Sequence, residues 1–217
     1  MRRIGIIGCC SHDVILLLAK AVRCLGERVI LTDRNEARVL SACVPLPEEW
    51  ETEPYTEYKG MFFSKEPQKK TWRNVPGVEF VDFGFGSQKA EWDLCEDLIV
   101  ICDMHPHHMK KISDAQFPRE KVRLCLLRDV IPELLNREKD VREFLDGLKA
   151  ELRITLFPDH KDVKNRYVCE LHHEYNLKNA SAEMREAILQ TVCLLFPGTE
   201  EKELRRRIRL EERREYR

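Results

Sequence analysis

The sequence predicts an α/β protein built on a doubly wound, mainly parallel sheet with helices on both faces. Two observations carry that prediction. Short, fully apolar runs alternate with segments of helical periodicity, and each run ends in Gly, Asp or another polar residue. Apolar runs without in-out alternation belong to strands covered on both faces, which is the mark of parallel sheets joined by crossover helices.

The elements follow in order. Arg3 to Gly8 is a first strand, and Val14, Leu17, Leu18, Ala21, Val22 and Leu25 then recur at helix spacing until Gly26 stops them. Arg28 to Asp33 is a second buried strand, so the first three elements make a βαβ unit. From Cys43 to Gly60, three prolines, five glutamates and no periodicity predict an exposed loop or insertion. Met61 to Ser64 reads as a short strand. Val78 to Phe83 reads as a third major strand, leading into the glycine-rich turn Gly84-Phe85-Gly86-Ser87. A helix through Cys95 precedes Leu98 to Asp103, the most apolar strand, and Pro106 suits the helix start that follows. Val122 to Leu127 is a buried strand, Pro132 to Leu148 a charged amphipathic helix, and Leu152 to Phe157 the last strand-like run. Tyr167 to Leu171 is ambiguous, Ala182 to Leu195 is an apolar-faced helix, and Pro197-Gly198 breaks it. Residues 1–198 are expected to form one domain. Residues 199–217 are expected to form a charged helix or tail, with eight basic and five acidic side chains from Glu201 onwards.

Composition narrows the function. The 217 residues carry 37 Lys+Arg against 38 Asp+Glu, a net charge of -1, which argues against a globally basic nucleic-acid binder. No apolar run reaches the roughly 18 residues of a membrane span. Met1-Arg2-Arg3 opens like a signal peptide, but Ser11, His12 and Asp13 break the apolar stretch and no small-residue cleavage site follows. The nine cysteines are odd in number and contain no CxxC pair, which fits a reduced, cytoplasmic protein better than a disulfide framework.

In a parallel sheet, ligands bind beyond the carboxyl ends of the strands. That edge collects Gly8 to Asp13, Asp33, Asp82 to Ser87, Asp103 to His108, and Arg128-Asp129. A dinucleotide fingerprint is incomplete there. Gly8 and Asp33 fit, but Cys10 and Asp13 stand where the second and third glycines belong.

The order of elements resembles the MinD/ParA family of P-loop ATPases, including its pilus-assembly and septum-site branch, over residues 3–130. The resemblance lies in Ala19 to Asp33, in Val78 to Gly84 with Asp82 in the place of the Walker B aspartate, in Asp97 to Pro106, and in Lys121 to Arg128. It implies a nucleotide edge made of Gly8, Cys9, Cys10, Ser11, His12, Asp33, Asp82 and Arg128. The family's G-K-[ST] falls on Cys10-Ser11-His12, so the phosphate-contacting lysine is replaced by Ser11 and the magnesium-binding hydroxyl by His12. Arg128 stands in place of the base-recognising Asn. Phosphoryl transfer needs that lysine and metal to neutralise developing charge. The expectation is therefore a pseudo-ATPase with no required ATP, magnesium or other cofactor. It would act as a regulatory or assembly factor toward a protein partner, such as a P-loop ATPase or a secretion- or pilus-type assembly component, and any homodimer would not be ATP-gated.

The alternative is an enzyme or sensor that binds a nucleotide or a metal at the same edge. Zinc could be held by Cys9, Cys10 and His12 together with His105, His107 and His108, against the plainer reading of packed thiols and solvent-facing turn histidines. A thiol nucleophile at Cys9 or Cys10, activated by the helix N-terminus, is a further reading, with an inert buried cysteine as its counterpart.

Overall fold

The computed structural model describes residues 1–45, 55–64, 76–86, 89–135 and 139–215. Its strands are β1 (Arg2–Gly8), β2 (Val29–Asp33), β3 (Thr56–Tyr58), β4 (Met61–Ser64), β5 (Val78–Asp82), β6 (Asp97–Cys102), β7 (Val122–Leu127) and β8 (Leu152–Thr155). They form one sheet in the order β3-β4-β2-β5-β1-β6-β7-β8. Every pairing is parallel except the β3–β4 hairpin at one edge. The doubly wound parallel sheet expected from the alternating pattern is present. Residues 46–54 of the expected Cys43–Gly60 loop lie outside the described residues, and the end of that loop supplies β3.

Alternation within the strands builds two cores, one on each face. Ile4 and Ile6 of β1, Ile99 and Ile101 of β6, and Leu124 and Leu126 of β7 face the larger core. There they meet α1 (His12–Arg23), α7 (His160–His172), α8 (Ala182–Leu195) and α9 (Glu201–Glu215). Ile7, Val100, Cys102, Cys125 and Leu127 face the other, with Trp92, Met109, Ile112, Phe117 and Phe144. The helical residues of that second set come from α3 (Lys89–Trp92), α4 (Pro106–Asp114) and α6 (Lys139–Leu148). The short helices α2 (Val39–Ala42) and α5 (Pro132–Leu135) complete the order. The expected Pro132–Leu148 helix is thus seen as α5 and α6, with residues 136–138 outside the described set.

Helix α1 is buried on all sides from His12 to Val22, because the sheet covers one face and α7 and α8 cover others. This explains why its apolar positions exceed a single stripe. Lys20 is buried there too and donates to the Tyr175 carbonyl oxygen at 3.3 Å and to Asn176 Oδ1. The ambiguous stretch Tyr167–Leu171 lies inside α7, whose Asp159 N-cap accepts from the Lys161 amide at 2.7 Å.

The charged end folds back as α9. Leu204 and Ile208 enter the larger core, and Glu212 accepts from the Lys178 amide at 3.2 Å. Glu201–Arg205 and Glu203–Arg207 pairs at 2.7 and 2.9 Å lie along its outer face.

Gly8, at the end of β1, fixes the edge geometry. Its φ is +129°, and a Cβ there would sit 1.7 Å from the Ile101 carbonyl oxygen of β6. No side chain fits between these backbones. Gly8→Ala should therefore lower stability by roughly 3 kcal/mol or more, combining backbone strain with a forced separation of β1 and β6. Urea denaturation monitored by circular dichroism measures it.

Candidate functional site

The loop from Gly8 to Ser11 leaves the centre of the sheet and starts α1. Its first two amides point inward. Gly8 N–H donates to the Gly84 carbonyl oxygen at 2.8 Å and Cys9 N–H to that of Ile101 at 3.0 Å. Cys10 then turns left-handed, with φ 48°, and is exposed. Ser11 sits at the N-cap of α1 but does not cap it. Its hydroxyl turns to Asp82, 3.3 Å from both carboxylate oxygens.

Arg128 closes the loop from the far side. It follows β7, is 2% exposed, and forms a two-point pair with Asp13 in the first turn of α1, at 2.8 and 2.9 Å. The same guanidinium donates to the Cys10 carbonyl oxygen. Burial opposes ionisation of Asp13, but the Arg128 charge and hydrogen bonds outweigh it and hold the carboxyl below its ordinary range. Asp129 beside it accepts from Arg166 of α7 at 3.0 Å, which ties that helix to the same edge. A helix N-terminus attracts anions. Here that role goes to the chain's own Asp13 carboxylate.

Asp33 and Asp82 end the neighbouring strands β2 and β5 in register. Asp33 is held by the Ser41 amide at 2.7 Å, the Ser41 hydroxyl at 2.8 Å and the Asn35 amide at 3.1 Å. Asp82 has weaker partners, namely the Gly84 amide at 3.1 Å, Asn35 Nδ2 at 3.3 Å and Ser11. Burial, reinforced by the Asp33 charge, pushes its carboxyl up to about 6.

The expected metal ligands divide. His12 faces α7, with Nε2 3.0 Å from Glu170 Oε1, close enough for an ion pair but outside hydrogen-bond geometry. Cys10 does not join a metal-type cluster among the described residues. Cys9 and His108 do meet, with Sγ 3.6 Å from Nδ1. The rings of His105 and His107 lie 5.5 and 4.0 Å from that of His108. Cys102 and Asp103, absent from the expected ligand set, converge with Cys9 instead. The register Gly8↔Ile101 sets Cys9 beside Cys102, and this strand order was the missing signal. The Cys9 thiol stands at about 12. Its contact with Cys10 acts to lower it, but the Cys102 contact, burial and nearby negative charge prevail. That direction opposes the thiolate form that a nucleophile at this position needs.

Comparison with known proteins places the fold. No family model matches the chain, and no curated protein matches it by sequence. Among solved structures, the chain is similar to one in the MinC:MinD cell division protein complex of Aquifex aeolicus. The TM-score is 0.61 at 13% identity, over 92% of this chain and 98% of that one. It is also similar to a ParA family ATPase from Chlorobium tepidum TLS, with TM-score 0.54 at 11% identity, over 88% and 98%. The class of fold is thus that of the MinD and ParA-type P-loop NTPases.

Two stability measurements probe this edge. Arg128→Met leaves Asp13 buried and unpaired, which should cost about 3–5 kcal/mol, while Asp13→Leu combined with Arg128→Met should recover most of it. Denaturant midpoints of the three proteins give the comparison. Asp82→Asn acts in the other direction. Because the folded carboxyl titrates near 6 against an ordinary 3.8, its contribution is full below about pH 4 and is lost as pH rises through 6. The variant should therefore be more stable than the parent at pH 7.5, by up to roughly 3 kcal/mol, and no more stable at pH 4.

Proposed function

We propose that this chain is a non-catalytic regulatory or assembly factor on a MinD/ParA-like scaffold, binding a protein partner rather than hydrolysing ATP. The observation that carries the reading is the β1–α1 loop closed on itself. A phosphate cradle needs backbone amides facing outward and a cation beside them. Here the Gly8 and Cys9 amides serve the sheet, and Arg128 is engaged by Asp13 and the Cys10 carbonyl. The positions aligned with the family's lysine and magnesium-binding hydroxyl, Ser11 and His12, turn to Asp82 and Glu170 instead.

The protein-binding half of the reading draws on exposed apolar side chains. Ile131, Leu134 and Phe157 follow the ends of β7 and β8, with exposures of 48, 40 and 50%. Val163, Tyr167 and Leu171 repeat every fourth residue along α7, with Leu171 at 70%. The solved MinD structure is itself of a complex with MinC. Cys9, Cys10, Cys43, Cys95, Cys102, Cys125, Cys169 and Cys193 are free thiols, which suits a reducing, cytoplasmic setting. No helix among the described residues is long and apolar enough to cross a membrane. The alternative, a sensor at the same edge, draws support from the Cys9–Cys102–Asp103 convergence.

Purified protein should show no ATP turnover above a heat-inactivated control. Its sedimentation coefficient should be the same with and without ATP-magnesium, since a ligand shifts an equilibrium only by its differential affinity. Turnover abolished by Asp82→Asn, or an ATP-dependent dimer, would contradict the proposal.

A further inference from the structure

We propose that Cys9, Cys102, Asp103 and His108 form a zinc-type metal site joining the loop after β1 to the start of α4. The side-chain donor atoms of Cys9, Cys102 and Asp103 lie within 4.8 Å of one another. His108 Nδ1 is 3.6 Å from Cys9 Sγ and 2.8 and 2.9 Å from the Asp103 oxygens. A zinc tetrahedron with bonds of about 2.3 Å to sulfur and 2.0–2.1 Å to nitrogen has a sulfur–nitrogen edge of about 3.6 Å. Cys9 Sγ and His108 Nδ1 thus stand at ligation spacing; His108 lies outside the 4.8 Å cluster of Cys9, Cys102 and Asp103 and is hydrogen-bonded to Asp103, so it joins as fourth ligand only by exchanging that hydrogen bond for the ion.

The donor set also selects the ion. Two thiolates and an imidazole suit zinc and related soft or borderline ions, whereas magnesium and calcium take oxygen ligands. Outer contacts orient the ligands, as such sites require. Asp103 accepts from the His105 amide at 3.0 Å, and the His108 ring stacks on Phe85 with centroids 5.1 Å apart. The site is asymmetric in access. Cys102 is fully buried, whereas His108 reaches the surface and His105 and His107 stand exposed beside it. Ligation would exchange the thiol protons for the ion. It would also anchor Cys9 and so restrain the Gly8–Ser11 loop.

The test is a cobalt titration of the full-length, untagged protein, stripped of metal and kept reduced without a chelating thiol. One cobalt per chain should give near-ultraviolet thiolate-to-cobalt bands with tetrahedral visible bands, and zinc should displace it. Cys9→Ser, Cys102→Ser and His108→Ala should each weaken zinc binding by about tenfold or more. Cys169→Ser, a buried thiol of the other core, should leave it unchanged. Circular dichroism confirms folding, and if Cys102→Ser fails to fold, the part-exposed His108→Ala decides. No thiolate band in folded parent protein, or binding retained by His108→Ala and the folded cysteine variants, would overturn the proposal.

Discussion

The buried pair between Asp13 and Arg128 organises the carboxyl edge of the sheet. It joins residues far apart in sequence, one opening α1 and the other closing β7, across the intervening β6. Both charges are almost wholly removed from solvent, a costly arrangement unless geometry and hydrogen bonding are complete. The two-point contact and the Cys10 carbonyl supply that completion. Once it forms, the direction of the β1–α1 loop is set, Ser11 is left to Asp82, and His12 is turned toward α7. Asp129 and Arg166 extend the same charge network to α7.

This arrangement places the polar residues of the edge in two groups. On one side of the loop, Asp33, Asp82, Asn35 and Ser11 form a hydrogen-bonded set in which the contacts of Asp82 are longer than most of those of Asp33. On the other, Cys9, Cys102, Asp103 and His108 converge beneath exposed histidines. The first group stands where the family resemblance puts nucleotide chemistry, but the positions aligned with its lysine and hydroxyl face inward. The second group owes nothing to that resemblance. Its place follows from β1 pairing with β6.

The sheet was largely legible in the sequence, because strands buried on both faces leave unmistakable apolar runs such as Leu98 to Cys102. Helix α8 was equally plain, with Ala182 and Leu195 as its bounds. Helix α7 was obscured because its exposed Val163, Tyr167 and Leu171 blur the contrast between faces on which periodicity depends. The three-residue β3 is too short to show a pattern and is defined only by pairing with β4. At the edge, the residue types were legible but their partners were not. Asp13 reads as a residue in the place of a fingerprint glycine and Arg128 as a replaced Asn, and only strand order shows that they answer each other. For the same reason, Cys102 reads as a strand residue and Asp103 as an edge residue, and only the pairing of β6 with β1 sets both beside Cys9.

The central proposal is that the β1–α1 loop, closed by the chain's own charges, does not take a nucleotide. Hydrogen–deuterium exchange of the intact protein, with and without millimolar ATP-magnesium, tests it at the residues concerned. The account predicts identical exchange over Gly8 to Asp13 and around Asp33 and Asp82 in both conditions. ATP-dependent protection of the Gly8–Asp13 amides would contradict it.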